Sequence, residues 1–212
     1  MRSNCLNYFY IDTSSSFLYS GIVSNNKLIS FIKKNYNKDL SKYALVEIEN
    51  LFKKANFEPS NIDKIIVVSG PGSFTGIRIG MTFAKIFAWS LKKEITTITS
   101  LDAMATSCES NKIKVPVIDA RRGFVYAGVY KAQDVILENQ YIKLNDLKNY
   151  LDTLNEEYIF ISNDDKLPIE NKIKYDPNIL KIVEIFKDKK NINPHLVEPD
   201  YLKQTEAEEN LG

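Results

Sequence analysis

Residues 11–23 read "IDTSSSFLYSGIV", and residues 118–130 read "IDARRGFVYAGVY". Laid over each other, the two stretches share Ile, Asp, Phe, Tyr and Gly at the same five positions. In both, aromatic and β-branched residues alternate around a turn, which is typical of a β-hairpin. The sequence therefore predicts one hairpin used twice, at the start of each of two related lobes.

The segments after the first hairpin predict a lobe of mixed helices and strands. Apolar residues at three- and four-residue spacing predict a helix over residues 38–57, and further helices are expected over 77–93 and 101–110. Short apolar runs at 64–70 and 94–100 are expected to be strands. Ser100 is expected to cap the third helix, and Ser73 or Thr75 the second.

The second half repeats this order with weaker signals. After its hairpin we expect a strand over 134–144, a helix over 145–154, a strand over 157–163 and a helix over 177–190, followed by an irregular tail with a frayed acidic end. The predicted fold class is α/β, with two lobes that each contain a mixed sheet and packed helices. We place the N-terminal lobe at residues 1–110 and the C-terminal lobe at 111–212, with a cleft between them.

The composition excludes several functional classes. The 212 residues are 44% hydrophobic and 26% charged with a net charge of +1, so no general attraction to polyanions is expected. Cys5 and Cys108 lie in no metal or redox spacing, and free thiols in a reducing cytoplasm are expected. The lone histidine, His195, excludes a site that needs two histidines, and no run reaches membrane-spanning length. We expect a cytoplasmic protein with no metal site, no cofactor and no membrane segment.

The strongest local signal is "IIVVSGPGSFTG" at residues 65–76, a strand that runs into a glycine-rich turn and then a helix. Such turns often bind phosphate through backbone N–H groups. Neither the P-loop spacing nor the Rossmann spacing fits, because no lysine follows the glycines correctly and Gly70, Gly72 and Gly76 give one residue too many. The structural alternative is that the first two glycines permit a sharp turn and that Gly76 permits close packing.

The first hairpin turn adds a carboxylate and hydroxyls, in Asp12, Thr13 and Ser14. In a cleft, Asp12 could hold Mg²⁺ and phosphate, whereas the residues alone favour an Asx-turn. A vestigial nucleotide or phosphate turn would consist of Asp12, Thr13, Ser14, Gly70, Gly72 and Ser73. No catalytic residue is predicted, because no Ser–His–Asp or Cys–His arrangement is available.

The helix after the glycine turn carries small residues every fourth position, at Gly76, Gly80, Ala84 and Ala88. Glycine in a helix costs roughly 1 kcal/mol relative to alanine, so close approach of another backbone is expected. That backbone could belong to the protein's own sheet or to a second subunit. We predict a subunit interface, made of Tyr43, Leu45, Ile48, Gly76, Ile77, Gly80, Met81, Ala84, Phe87 and Ala88.

Arginine is rare in a chain rich in lysine, with four residues at positions 2, 78, 121 and 122. Arg78, Arg121 and Arg122 lie in the two most distinctive motifs. Lysine cannot replace the planar five-donor fork of arginine. We therefore expect at least one of the three to make a bidentate bond within the fold or at an interface.

Four segments together resemble the TsaB family, also called YeaZ. They are "DTS" at 12–14, "SGPGSFTGIRIGMTFAKIFA" at 69–88, "SLDAMA" at 100–105 and "DARRGFVYAGVY" at 119–130. "EPDYLKQ" is similar to the family's Pro-x-Tyr-Leu-Arg segment, with Lys203 in place of arginine. The resemblance implies the actin/Hsp70/sugar-kinase fold.

The same resemblance implies a function in bacterial tRNA threonylcarbamoyladenosine synthesis. The expected role is a noncatalytic subunit that pairs with TsaD, recruits the ATPase TsaE and contacts tRNA through the complex. Whether the isolated chain forms a homodimer stays open. A histidine that many members carry before the first helix is missing from "NKDLSKYAL", so its role is not transferred. The alternative is an independent ATP-dependent small-molecule kinase or hydrolase of the same superfamily.

Overall fold

A computed structural model describes residues 6–202, and its first half builds a five-stranded mixed sheet. The strands are β1 (Tyr8–Asp12), β2 (Phe17–Ser24), β3 (Lys27–Asn35), β4 (Lys64–Val68) and β5 (Glu94–Ile98). Their order in the sheet is β3-β2-β1-β4-β5. Strands β1, β2 and β3 pair antiparallel, whereas β4 and β5 run parallel to β1.

The second half builds the same sheet again. Its strands are β6 (Ile113–Asp119), β7 (Phe124–Lys131), β8 (Asp134–Lys143), β9 (Tyr158–Ile161) and β10 (Lys172–Ile173). Their order, β8-β7-β6-β9-β10, and the directions of their pairings reproduce those of the first sheet. The predicted fold class, two related lobes with mixed sheets, is therefore confirmed. The short strand β10 was not predicted.

Five α-helices cover the sheets: α1 (Leu40–Ala55), α2 (Phe74–Leu91), α3 (Ser100–Ser107), α4 (Leu144–Thr153) and α5 (Ile179–Phe186). The buried residues of α1 and α2 share one core with the outer face of the first sheet. Those of α4 pack on the outer face of the second sheet. Helices α3 and α5 share a third, central core with the inner faces of both lobes.

The helix caps agree in part with the predictions. The Ser73 side chain accepts a hydrogen bond from the Gly76 backbone N–H and caps α2, as expected. The third helix is capped by Thr99 and not by Ser100, because the Thr99 hydroxyl accepts from the Asp102 N–H while the Asp102 carboxylate accepts from the Thr99 N–H. This reciprocal capping box satisfies two backbone donors at once, which the neighbouring serine could not do from inside the helix.

The two hairpins are not in the register that the sequence alignment suggests. Asp12 lies opposite Tyr19 in the first hairpin, but the residue opposite Tyr126 in the second is Ile118 and not Asp119. The first strand of the second hairpin is thus shifted by one residue. Because side chains alternate between the two faces of a strand, Asp119 becomes exposed where Asp12 is buried.

The segment after α5 returns to the first sheet. The ammonium of Lys64 donates to the carbonyls of Lys187 and Lys189, at 2.8 and 2.6 Å. The Asp200 N–H donates to the Ser69 carbonyl at 2.8 Å, and Val197 is buried in the core of α1 and α2. The division of the chain at residue 110 stays a prediction, and this segment crosses it. The acidic terminus and Lys203 lie outside the described residues.

Candidate functional site

The first hairpin turn and the glycine turn are joined by direct hydrogen bonds. The Ser73 N–H donates to the Ser14 carbonyl at 2.7 Å, and the Thr13 hydroxyl donates to the Gly76 carbonyl at 2.8 Å. A backbone N–H of the turn between β4 and α2 therefore bonds to the protein itself and not to a ligand. This is the donor type that a phosphate-binding turn would offer to a ligand.

Three of the four glycines of this region, Gly72, Gly76 and Gly80, make room for the first hairpin turn. A Cβ atom on Gly72 would overlap the Ser14 carbonyl, and one on Gly76 would overlap the Thr13 carbonyl. A Cβ on Gly80 would overlap the Thr13 hydroxyl. Gly70 lies at a φ of +113°, which L-residues rarely adopt. Close approach of the protein's own backbone thus explains the motif, as the structural alternative proposed.

The small-residue stripe of α2, which we assigned to the predicted subunit interface, faces the interior of the lobe. Gly76, Gly80, Ala84 and Ala88 are buried, the first two against Thr13. Three more residues of the predicted interface, Ile48, Ile77 and Met81, are also buried, each at most 3% exposed. The prediction was wrong for the four small residues and for Ile77 and Met81, because helical period identifies a common face but does not show whether that face meets the sheet or a partner. Ile48 also lines the apolar groove described below, so its place in an interface stays a prediction.

Asp12 forms the expected Asx-turn. One carboxylate oxygen accepts from the Ser14 N–H at 2.8 Å and from its hydroxyl at 2.7 Å. Burial raises the pKa of the Asp12 carboxyl, and the two bonds from Ser14 oppose this shift. Nearby, the hydroxyls of Tyr10 and Tyr175 are buried and find no hydrogen-bond partner among the described residues. Burial raises the pKa of both tyrosines well above the ordinary value, so both hydroxyls stay protonated.

The second hairpin turn places two arginines in the left-handed region, Arg121 at a φ of +67° and Arg122 at +54°. The Arg121 N–H donates to the carboxylate of Asp119, two residues earlier, at 2.9 Å. Ser14 makes the same backbone contact with Asp12 in the first turn. The turn is thus an exposed counterpart of the first, with guanidinium groups in place of hydroxyls.

A cleft of about 920 Å³ lies between the turns of the two lobes. Its walls include Ser14, Ser73, Ser100, Arg121, Asn163 and Lys166. Cavities of this size can accommodate a nucleotide-sized ligand. Among residues 6–202, no group of three or more histidine, cysteine or acidic side chains is arranged to hold a metal ion. In the same part of the chain, no helix is long and apolar enough to cross a membrane.

Within the fold, Arg78, one of the three arginines of which at least one was expected to make a bidentate bond, contacts two aromatic side chains. Its guanidinium lies 3.8 Å from the centroid of the Phe74 ring, and its Nε donates to the Tyr201 hydroxyl at 3.1 Å. Phe74 and Tyr201 also stack on each other. Arg78 is exposed, so this cluster joins the start of α2 to the C-terminal segment at the surface. A role for any of the three arginines at an interface stays a prediction.

An exposed apolar surface lies between α1 and α2, beside the buried stripe. There a groove of about 740 Å³ is lined mainly by apolar side chains, Leu45, Phe74, Ile79, Phe83, Ile86 and Phe87. Leu45 is 64% exposed and Ile86 60%. Of the predicted interface residues, Leu45, Ile48 and Phe87 line this groove, and Tyr43 is exposed on α1. Their contact with a partner stays a prediction.

The sequence reasoning missed Phe74, Ile79, Phe83 and Ile86 because it relied on the glycines, which lie on the neighbouring face of α2. The spacing of these large apolar residues was the available signal. They repeat at three to five residues along α2, outside the small-residue stripe. A helix with small residues on one face and large apolar residues on the next has two surfaces to cover.

Comparison with known proteins identifies relatives of nearly full length. A family model described as "TsaD: tRNA N6-adenosine threonylcarbamoyltransferase" matches residues 32–176. The chain is 30% identical, over 220 residues, to the tRNA threonylcarbamoyladenosine biosynthesis protein TsaB of Bacillus subtilis, covering 93% of this chain and 94% of that relative. This chain belongs to the TsaB family. Its match to the TsaD model also places it in the wider family that this model describes.

A second TsaB relative, from Buchnera aphidicola, is 26% identical over 195 residues, with 88% of this chain and 90% of the relative covered. Among solved structures, YeaZ from Pseudomonas aeruginosa superposes with a TM-score of 0.73 at 15% identity, covering 93% of this chain and 100% of that one. An uncharacterised protein described as similar to the peptidase YeaZ from Pseudomonas aeruginosa gives a TM-score of 0.79 at 17% identity, with the same coverage. TsaB proteins and this chain thus share the actin/Hsp70/sugar-kinase-like fold.

Proposed function

We propose that this chain acts in the biosynthesis of threonylcarbamoyladenosine in tRNA, as a noncatalytic subunit that pairs with TsaD. The reaction of the complex is transfer of a threonylcarbamoyl group to the adenosine beside the anticodon. The observation that carries the proposal is the exposed apolar groove between α1 and α2. Membership of the TsaB family supports the pathway, and the groove supports the pairing.

The groove has the composition of a surface that is covered in an assembly. Contiguous exposed apolar patches are unusual on monomers and mark sites of interaction. Phe83 and Phe87 are half-buried at its floor, where they pack against Phe9 of β1, so the floor rests on the core of the first lobe. Leu45 on α1 and Ile86 on α2 stand at its walls. Two helices with an apolar groove between them suit a partner that presents helices of its own, in a four-helix contact.

The geometry of the cleft supports the noncatalytic part of the proposal. The glycine turn gives its Ser73 N–H to the Ser14 carbonyl, and Asp12 is buried behind its own Asx-turn. In a phosphate-transfer site, a backbone N–H and a carboxylate at these positions would face the ligand, whereas here both bond to other parts of the protein. Asp12, Thr13, Ser14, Gly70, Gly72 and Ser73 accordingly form a structural turn that keeps the form of a phosphate site.

The alternative function is an independent ATP-dependent small-molecule kinase or hydrolase. One observation favours it, the cleft of about 920 Å³ with Arg121 on its wall. Titration calorimetry of the purified chain with ATP and Mg²⁺ separates the two. Tight binding with turnover by the chain alone would support the enzyme, whereas the proposed subunit shows neither.

Co-purification with the TsaD of the same organism tests the pairing. Ile86→Asp puts a charge into the apolar groove, at a side chain exposed enough for the monomer to fold. Val46→Asp is the matched control, because Val46 is 52% exposed on α1 but does not line the groove. We expect Ile86→Asp to lose TsaD and Val46→Asp to retain it. Equal retention by both folded variants would contradict the role of the groove.

The remaining parts of the proposal follow from the same pairing. We propose that the pair recruits the ATPase TsaE, that tRNA binds to the complex and not to this chain alone, and that the complex works in the cytoplasm. In the absence of TsaD, the groove could be covered by a second copy. Sedimentation of the isolated chain and of Ile86→Asp would show whether a homodimer exists and whether it uses this surface.

A further inference from the structure

A second cavity lies away from both the cleft and the groove. It has a volume of about 630 Å³ and is enclosed by α3, α5 and the β7–β8 hairpin, with Lys114 of β6 in its wall. None of the residues that line the α1–α2 groove lines this cavity, and neither do the glycine turn or the arginine turn. Nothing in the proposed pairing with TsaD uses it.

The cavity contains a buried cation with incomplete bonding. Lys114 is 5% exposed, and its ammonium donates one hydrogen bond, to the Ala132 carbonyl at 2.5 Å. An ammonium group has three donors. Lys64, the other buried lysine of the described chain, instead donates to two carbonyls. Burial lowers the pKa of Lys114, and the nearby Lys181 adds to this shift.

No carboxylate of the described residues pairs with Lys114. Asp102, on the cavity wall, accepts from the Tyr130 hydroxyl at 2.8 Å and from the Asn139 amide at 3.2 Å. Glu109 is exposed to solvent. Burial raises the pKa of the Cys108 thiol, so the thiol stays neutral and does not balance the lysine. A buried charge without a counter-ion is costly, and an anion would relieve that cost.

Part of the remaining wall is apolar, and the rest carries polar side chains such as Thr106, Asn111 and Gln133. Ala105 of α3, Val135 of β8 and Ile185 and Phe186 of α5 line the cavity, and Lys181 of α5 stands beside them. Small-molecule sites typically combine such walls with a few polar groups that fix the orientation of the ligand. A ligand that matches both parts has an anionic group at one end and an apolar body at the other.

We propose that this cavity binds a small organic oxyanion, a phosphate or carboxylate joined to an apolar body, whose anionic oxygens accept hydrogen bonds from Lys114 and Lys181. The apolar body lies against Val135, Ile185 and Phe186. The site is independent of the proposed pairing with TsaD, because it shares no residue with the groove.

Four probes define the chemistry: phenyl phosphate, benzoate, inorganic phosphate and the uncharged benzyl alcohol. Binding to the full chain is measured by calorimetry and by the rise in Tm. We expect phenyl phosphate or benzoate to bind, inorganic phosphate to bind more weakly because it has no apolar body, and benzyl alcohol not to bind. The stronger of the first two identifies the natural anion as a phosphate or as a carboxylate.

Two variants and a control assign the binding to the site. Lys114→Met and Lys181→Met should each weaken binding of the preferred probe by roughly tenfold or more, since hydrogen bonds to charged groups contribute enough for that factor. Lys112→Met removes an exposed lysine of the neighbouring segment and should bind as the wild type does. If Lys114→Met does not fold, the half-exposed Lys181 gives the same test. No binding of any anionic probe, or equal binding by all three variants, would overturn the proposal.

Discussion

Substitution of Gly80 by alanine tests whether the small-residue stripe faces the protein's own first turn or an open surface. On an open helix surface, alanine would stabilise α2 by about 1 kcal/mol over glycine. In the structure, the added Cβ overlaps the Thr13 hydroxyl, which is buried and bonded to the Gly76 carbonyl at 2.8 Å. The opposite signs of the two expectations make the test decisive.

The magnitude follows from three contributions. Overpacking of a buried site costs roughly 1–3 kcal/mol. Loss of the hydrogen bond from the Thr13 hydroxyl to the Gly76 carbonyl costs about 1 kcal/mol more. The higher helix propensity of alanine gains about 1 kcal/mol, so these two contributions cancel and the overpacking cost remains. The free energy of unfolding should therefore fall by roughly 1–3 kcal/mol. For a chain of this size, each kcal/mol corresponds to a fall of about 2–4 °C in Tm.

A double-mutant cycle with Thr13→Ala identifies the contact responsible. In the Thr13→Ala background the hydroxyl is gone, so Gly80→Ala should no longer destabilise the protein. Gly76→Ala is the control, because its Cβ would meet the Thr13 backbone carbonyl, which Thr13→Ala does not remove. Urea unfolding of all variants provides the free energies. Gly80→Ala at least as stable as the wild type would refute the packing, and so would failure of Thr13→Ala to rescue it.

Three other substitutions follow from contacts described above. Because the pKa of the Asp12 carboxyl is raised in the fold, this group contributes stability that is present at acidic pH and is lost as the pH rises towards neutral. Asp12→Asn should remove that contribution, so the free energy of unfolding should fall less, or rise more, with pH than in the wild type; profiles of equal slope would contradict this. Lys64→Met should lower the free energy of unfolding by roughly 1–3 kcal/mol, because the carbonyls of Lys187 and Lys189 lose their donor. The same change should speed proteolysis within residues 187–200, and an unchanged digestion pattern would contradict this. Arg78→Lys should cost about 0.5–1 kcal/mol through lost stacking on Phe74, as measured by thermal unfolding; a wild-type Tm would show that the stacking contributes little.

Much of the fold could be predicted because each lobe is encoded by local patterns. Alternating aromatic and β-branched residues predict the two hairpins, and the apolar spacing of residues 40–55 predicts α1. The register of the second hairpin could not be predicted, because matching residues along the chain do not show how the two strands pair across the turn. The alignment places Asp119 opposite Tyr126, whereas in the structure Ile118 lies there.

The site could be predicted less well, because its properties depend on which groups meet across the chain. The glycine motif was recognised, but only the structure shows that Gly72 and Gly76 meet Ser14 and Thr13. Lys114 has no distinguishing neighbours in sequence in a chain rich in lysine. Its burial and its single acceptor arise from the packing of α3, α5 and a distant hairpin.

The return of residues 187–200 to the first sheet has a consequence for synthesis of the chain on the ribosome. Strands β4 and β5 are translated early, yet the partners of Lys64, Ser69 and Ile95 are supplied by the last part of the chain. Until those residues emerge, a nascent first lobe lacks Val197 in its core and leaves apolar surface uncovered. We therefore expect folding of this lobe to be completed only after translation of residue 200, and we expect a nascent chain arrested before α5 to depend on chaperones.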